Sequence, residues 1–329
     1  MIKRVVEISS QACHLSTSQK QLLVWRRLGP GSIDQKAVDD REAPKHIPLE
    51  DLGLLMIDQP ATTVTAAALS ALVDNGVAVC VCGHNHLPLG LLLPLADRHE
   101  TVWRIQHQTA TTKPTRKNLW RQIIRAKIQG QRANLDPRSP AFFKLSELRD
   151  AVRSGDASNI ESQAARVYWS HWLGPEHSFV RSGGTGELAT PPNNLLDYGY
   201  AVVRAALARA IVSAGLVPAI GIHHSNRSNS YCLADDLIEP IRPMVDRRVR
   251  TLYRDGLITL SREAKESLLS LLTTRVAMPS EDSPSKFKTG PLGVSLHRYV
   301  SSFVECLPDM KQRRRLAIPR FCRKERNDC

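Results

Sequence analysis

Residues 101–135, TVWRIQHQTATTKPTRKNLWRQIIRAKIQGQRANL, mark the point at which this chain changes character. Short apolar runs broken by turn residues precede it, and long helical periodicity follows. Within the stretch Trp120, Ile124 and Ile128 fall on one helical stripe, while Lys117, Arg121 and Arg125 fall on another. It holds eight lysines and arginines, Arg132 among them, and no acidic residue. A run of charge is ordinarily a solvated face, but a solvated helix usually mixes signs and this one does not. The pattern therefore predicts a face that binds a DNA backbone through Lys117, Arg121, Arg125 and Arg132.

On the N-terminal side, Lys3–Ile8, Lys20–Trp25, Gly53–Ile57 and Val77–Cys82 read as strands, with a further apolar segment at Leu87–Leu95. Ala61–Asp74 is rich in alanine and leucine and reads as a helix stopped by Asn75-Gly76. Cys80, Cys82, His84 and His86 alternate as zinc ligands could. Zinc sites, however, usually draw on separated ligand pairs, and here the cysteines continue a β-branched apolar run as small hydrophobes. On the C-terminal side, Asn193–Gly215 reads as a long packing helix capped by Asn193 or Asn194. The segments Arg181–Pro192 and Pro279–Ser285 read as loops. Lys311–Cys329 carries eight basic and two acidic residues and reads as an unstructured basic tail. The expected architecture is α+β: a mainly β domain over residues 1–100, a larger all-α domain over 101–310, and the tail over 311–329.

The 329 residues are long enough for two domains, and a hydrophobic content of 42% is enough for real cores. No apolar run reaches the ~18 residues of a membrane span, and the N-terminus lacks a signal-peptide core. Seven cysteines at irregular spacing fit a reducing compartment. A soluble, cytoplasmic protein is expected, with no membrane partner. Its formal net charge of +13 points to a polyanionic ligand.

The chemistry concentrates in residues 219–243, AIGIHHSNRSNSYCLADDLIEPIRP, where two histidines stand one loop away from three carboxylates. Asp236 and Glu239 are three apart, and Asp235 and Glu239 four apart, so either pair can share a helix face. If the chain is extended at His223-His224, the two rings point opposite ways and one of them reaches the site. Upstream, Ser158 and Glu161 have capping-box spacing, which gives the glutamate a structural alternative. Ala164, Ala165 and Tyr168 follow on the face of Glu161 and leave room beside its carboxylate. Arg181, Arg204 and Arg242 are candidate phosphate contacts, although a structural ion pair explains each equally well. Gly183-Gly184-Thr185-Gly186 lacks the lysine of a P-loop. An acidic, histidine-bearing pocket on a basic body suits metal-dependent chemistry on nucleic acid.

These motifs resemble the Cas1 integrase-endonuclease family of the CRISPR adaptation machinery. The family's Gly-hydrophobic-x-His element is matched by Gly221-Ile222-His223-His224. Its Asp-Leu-Met-Glu-Pro-Phe-Arg-Pro element is matched by residues 236–243, and its Glu-x-x-Ala-Ala-x-x-Tyr-Trp element by residues 161–169. Residues 46–52, 68–79 and 86–95 look like the N-terminal half of the type II branch. The resemblance extends from residue 1 to about residue 310. It implies that Glu161, His224 and Glu239 are metal ligands and the catalytic set, with Asp236 as an auxiliary acid. So oxygen-rich a set favours Mg²⁺ or Mn²⁺. The implied reaction is transesterification, in which the 3′-hydroxyl of a captured double-stranded DNA fragment attacks the phosphodiester at the edge of a CRISPR repeat. The implied assembly is a homodimer formed through an N-terminal β-sandwich, two such dimers flanking a Cas2 dimer, with Cas9 supplied by a type II system. A general metal-dependent nuclease, or a DNA-binding scaffold without chemistry, would use the same charge.

Overall fold

The computed structural model describes residues 4–26, 43–84, 86, 88–93, 100–174, 179–182, 191–280, 287–308 and 315–322. The chain divides into two compact units, Met1–Leu95 and Ala96–Cys329. Parts of both expected loops (183–190 and 281–285), the ends of the basic tail (311–314 and 323–329) and the end of the Leu87–Leu95 segment lie outside the described residues.

Among its described residues the first unit holds two four-stranded sheets and one α-helix. Strands β1 (Arg4–Ile8), β5 (Leu52–Ile57) and β7 (Ala78–Cys82) run parallel, with β8 (Pro88–Leu92) antiparallel at the edge. The second sheet has the order β4 (Lys45–Pro48), β3 (Gln21–Arg26), β2 (Cys13–Ser18), β6 (Thr63–Val64). Helix α1 spans Ala66–Asp74, its start set by Thr65, whose hydroxyl accepts from the Ala68 N–H at 3.1 Å. It begins later than its alanine content suggests because Thr63–Val64 is drawn into β6. One core joins Ile8, Leu15, Leu22, Ile47, Leu52, Leu55, Leu72 and Val79 from both sheets and the helix. Cys80 is fully buried in β7, as a small hydrophobe would be.

The second unit is predominantly helical. Its helices are α2 (Thr101–Ala110), α3 (Lys113–Arg132), α4 (Pro140–Ala151), α5 (Ile160–Trp169), α6 (Asn193–Ser213), α7 (Cys232–Ile238), α8 (Arg242–Arg254), α9 (Arg262–Leu269) and α10 (Leu292–Val304). The periodic stretch 101–135 is split at Thr111-Thr112. Thr112 caps α3, and Pro114 is accommodated in its first turn, where no N–H is needed. Trp120, Ile124 and Ile128 form the buried stripe of α3. Helix α6 runs through the core, with Leu196, Val203, Leu207 and Ile211 at zero exposure. Pro192 rather than an asparagine holds the cap position, and the Asn193 side chain is bound by Arg181 and by the Val180 carbonyl, but Asn194 Oδ1 does accept a first-turn N–H, that of Leu195, at 2.9 Å.

Two expectations need correction. The second unit is not all-α: β9 (Arg275–Pro279), β10 (Phe287–Pro291) and β11 (Arg320–Phe321) form a three-stranded antiparallel sheet. Nor is the basic tail unstructured throughout. Leu316, Ala317 and Ile318 are buried, and the Arg247 guanidinium stacks 3.5 Å over the Phe321 ring. A short apolar patch inside a basic run suffices to dock it. Among the described residues, no helix is long and apolar enough to cross a membrane.

Candidate metal centre

Glu161 lies in the first turn of α5, and the structure removes its structural alternative. The Asp156 carboxylate, not Ser158, caps the helix, accepting from the N–H groups of Ile160 and Glu161 at 2.9 Å each. The Glu161 side chain is thereby left for other work. Tyr168, seven residues on and fully buried, anchors the same helix. Its hydroxyl accepts from Asn134 Nδ2 at 3.0 Å and donates to the Asp246 carboxylate of α8 at 3.0 Å.

Glu239 directly follows α7 and is 7% exposed. Its Oε1 accepts from Arg242 Nε at 2.9 Å. Helix α3 completes the junction, because Lys127 Nζ stands 2.5 Å from Glu161 Oε1 and 2.5 Å from Glu239 Oε2. The contact to Glu239 is an ion pair. Gly130 permits this approach: a Cβ there would lie 2.9 Å from both Cβ and Cγ of Pro243. The close packing of α3 on the start of α8 puts Lys127, one turn earlier, against Glu239. Burial opposes ionisation of Glu239, but Arg242 and Lys127 overcome it and hold its pKa at about 2.

His224 is organised by Asp236. That carboxylate is fully buried in α7 and receives four hydrogen bonds. Oδ2 accepts from the N–H groups of Ile222 (2.6 Å) and His223 (3.0 Å), while Oδ1 accepts from His224 N–H (3.1 Å) and ring Nδ1 (2.7 Å). The 219–224 segment can wrap so tightly because residue 221 is glycine. A Cβ there would fall 2.4 Å from the His224 carbonyl oxygen and 2.7 Å from Asp236 Oδ2. A carboxylate filled with donors holds the ring proton on Nδ1, which leaves the Nε2 lone pair for a metal. The hydrogen bond to Asp236 raises the pKa of His224, against a smaller lowering by burial. The chain is bent rather than extended here, so the two rings do not point to opposite faces: they lie 5.5 Å apart and both pack on Trp120. His223 stacks on Trp120 at 4.0 Å with rings 3° from parallel, whereas His224 meets that indole edge-on at 5.8 Å.

The structure thus brings Glu161 and Glu239 together through Lys127 and sets Asp236 against His224. Among the described residues, no three His, Cys, Asp or Glu side chains close into a ready-made metal cage. The donor set nevertheless fits a hard divalent cation. A carboxylate from α5 and one from the turn after α7 converge on one positive charge, and a histidine whose Nδ1 faces Asp236 belongs to the same unit. Sequence reading passed over Lys127. The available signal was its place seven residues after Trp120, a charge on the apolar stripe that demands a partner.

The candidate DNA contacts divide. On α3, Lys117 is exposed, Arg125 pairs with Asp150 at 3.0 Å near the surface, Arg121 binds Asn118, and Arg132 stacks 3.8 Å over Phe142. The other three are held in ion pairs: Arg181 to Asp197, Arg204 to Asp235 (2.9 Å) and Arg242 to Glu239.

The family model described as CRISPR associated protein Cas1 matches residues 6–275. The CRISPR-associated endonuclease Cas1 of Neisseria meningitidis serogroup C (strain 8013) is 34% identical over 277 residues, covering 83% of this chain and 86% of that protein. Among solved structures, a casposase bound to its integration product superposes with a TM-score of 0.75 at 19% identity, covering 99% of this chain and 96% of that one. A Cas6-RT-Cas1–Cas2 complex gives 0.70 at 18% identity, over 99% of this chain and 36% of that one. At such identities these two likenesses speak for the fold.

Proposed function

This chain belongs to the CRISPR-associated Cas1 family, and from that premise we propose that Glu161, Glu239 and His224 hold the divalent metal of a spacer-acquisition integrase. It is an endonuclease and integrase of CRISPR adaptation. The observation that carries the site assignment is the convergence of Glu161 and Glu239 on one cation, within the unit where Asp236 fixes His224.

Each residue has a distinct task in this reading. Arg242 holds Glu239 in place, and Asp236 keeps the His224 proton on Nδ1. Asp156 frees Glu161 from capping, and Tyr168 ties its helix to α8. Glu161, Glu239 and His224 would hold Mg²⁺ or Mn²⁺, which would supply polarisation of the scissile phosphate and offset the charge that builds on it. In strand transfer the 3′-hydroxyl oxygen of the incoming DNA bonds to phosphorus as the bond to the departing strand breaks. The attacking hydroxyl gives up its proton and the leaving oxygen takes one up, so one phosphodiester replaces another and no water is consumed. The proposed substrates are a double-stranded prespacer and the leader-repeat of a CRISPR array, with Lys117, Arg121, Arg125 and Arg132 along the backbone. Arg181, Arg204 and Arg242 serve this role less directly, since each already has a carboxylate. The proposed assembly is a homodimer joined through a β-sandwich in residues 1–100, two dimers binding a Cas2 dimer, with Cas9 as a further partner.

A disintegration assay on branched DNA that mimics the half-integrated product, with Mg²⁺ or Mn²⁺, tests this reading without a partner or a known repeat. Wild type should reseal one strand and release the flap, and Glu161→Ala should do neither. Simple cleavage would favour a general nuclease, and binding without product a scaffold.

A further inference from the structure

Lys127 does more than fill space between two acids. Its side chain is 13% exposed, and its ammonium lies 2.5 Å from each of the two carboxylates that the proposed site needs. With Arg242 also on Glu239, two positive charges balance two negative ones. The junction is therefore neutral before any metal arrives. A divalent cation entering beside Lys127 and Arg242 would leave an excess of two positive charges, which a phosphodiester gaining negative charge can neutralise. An ammonium and a divalent ion cannot both sit between the same two oxygens.

We propose that Lys127 is the resident counter-ion of the metal-free site, competing with the metal for Glu161 and Glu239 and passing to the DNA phosphate when the metal enters. Metal loading is then coupled to DNA binding, and the free protein is a poor metal binder and an inactive nuclease. This rests on the reading of Glu161 and Glu239 as metal ligands.

The test is Mn²⁺ affinity, followed through the electron paramagnetic resonance of free Mn²⁺ with the full-length protein and no DNA. Lys127→Met should bind Mn²⁺ more tightly than wild type by about tenfold or more, the size expected when a nearby charge leaves a poorly hydrated site. Lys127→Arg, which keeps the charge, should stay as weak as wild type. Added duplex DNA should strengthen Mn²⁺ binding to wild type more than to Lys127→Met. If Lys127→Met does not fold alone, recovery of its fold on adding Mn²⁺ is the expected result, and no recovery overturns the proposal. Equal or weaker Mn²⁺ binding by Lys127→Met, or tight binding by Lys127→Arg, overturns it, as does equal coupling to DNA in wild type and Lys127→Met. Glu161→Gln separates the two levels. If it abolishes Mn²⁺ binding while Lys127→Met changes nothing, the counter-ion role fails and the metal site stands. If Glu161→Gln leaves Mn²⁺ binding intact, the site assignment itself fails and takes this proposal with it.

Discussion

Asp236 and Asp246 lie on consecutive helices, α7 and α8, and both are withdrawn from water at 0% and 1% exposure. Their partners differ. Three backbone N–H groups and an imidazole surround Asp236, all donors fixed by the 219–224 loop. Asp246 meets two phenols instead, from Tyr168 and Tyr200. Burial drives the Asp246 pKa up to about 7, partly offset by the tyrosine hydrogen bonds and by Arg242 and Lys127. The same buried side chain therefore shapes a loop in one place and clamps three helices in the other. What decides is whether the donors around it are rigid backbone or side chains that also pack. The first arrangement sets the geometry of a reacting group; the second sets the position of the helix that carries one.

The comparison can be broken at Asp236 first. Asp236→Asn turns an acceptor for four donors into a group with one acceptor atom, and it loosens the ring it holds. Metal affinity should fall about 10–100-fold, with strand transfer falling at least as far. Titration with Mn²⁺ and the disintegration assay check this together. Because Asp236 raises the His224 pKa, and an imidazolium cannot bind metal, activity is lost as pH falls through that raised value. In Asp236→Asn the acid limb of the pH profile should move to lower pH.

Gly221→Ala tests whether the loop must wrap the carboxylate this closely. The added methyl meets backbone at 2.4 Å, so the loop must shift. A loss of about 1–3 kcal/mol in chemical denaturation is expected, with weakened metal binding. Wild-type metal affinity in this variant would mean that the wrapping does not position His224.

Asp246→Asn sharpens the other side. A carboxyl with a folded pKa near 7 and an unfolded value near 3.8 holds its proton longer when folded. Its contribution to stability is therefore greatest below the unfolded pKa, is lost progressively as pH rises from about 4 to 7, and is level above that. Replacing it should flatten the pH dependence of unfolding free energy across that window by an amount on the order of a few kcal/mol. A slope equal to that of wild type would show that Asp246 ionises normally.

The smallest effect is expected at Arg125→Ala. Its exposed pair with Asp150 should contribute little to stability. Removing one phosphate contact should lower the salt dependence of DNA binding by about one unit of slope. An unchanged slope would take Arg125 off the proposed DNA path.

Some of this was legible residue by residue. The strands at Gly53–Ile57 and Val77–Cys82 and the buried stripe Trp120, Ile124, Ile128 follow from local periodicity, which needs no distant partner. Strand β2 was not legible. Its hairpin turns through Gln19 and Lys20, both at positive φ, where glycine or asparagine would have been the signal. Strand β11 of the second unit was hidden because Arg320–Phe321 finds its partner more than forty residues upstream, at Val276 and Ala277. Ser158 matched a capping box by spacing, yet Asp156 caps α5 through a turn in which Asn159 takes the left-handed conformation.

By itself the sequence carried the α+β character, the basic run in residues 101–135 and, through the resemblance of its motifs, Glu161, His224, Asp236 and Glu239 as candidates. Each of these is read from residues close together along one chain segment. Only the tertiary structure decided that Lys127 joins Glu161 to Glu239, that Asp236 serves the loop, and that Asp246 clamps Tyr168 and Tyr200. Those contacts join residues far apart in sequence. Which buried charge meets which partner is set by helix packing, because a charge taken out of water must find its counterpart wherever the fold supplies one.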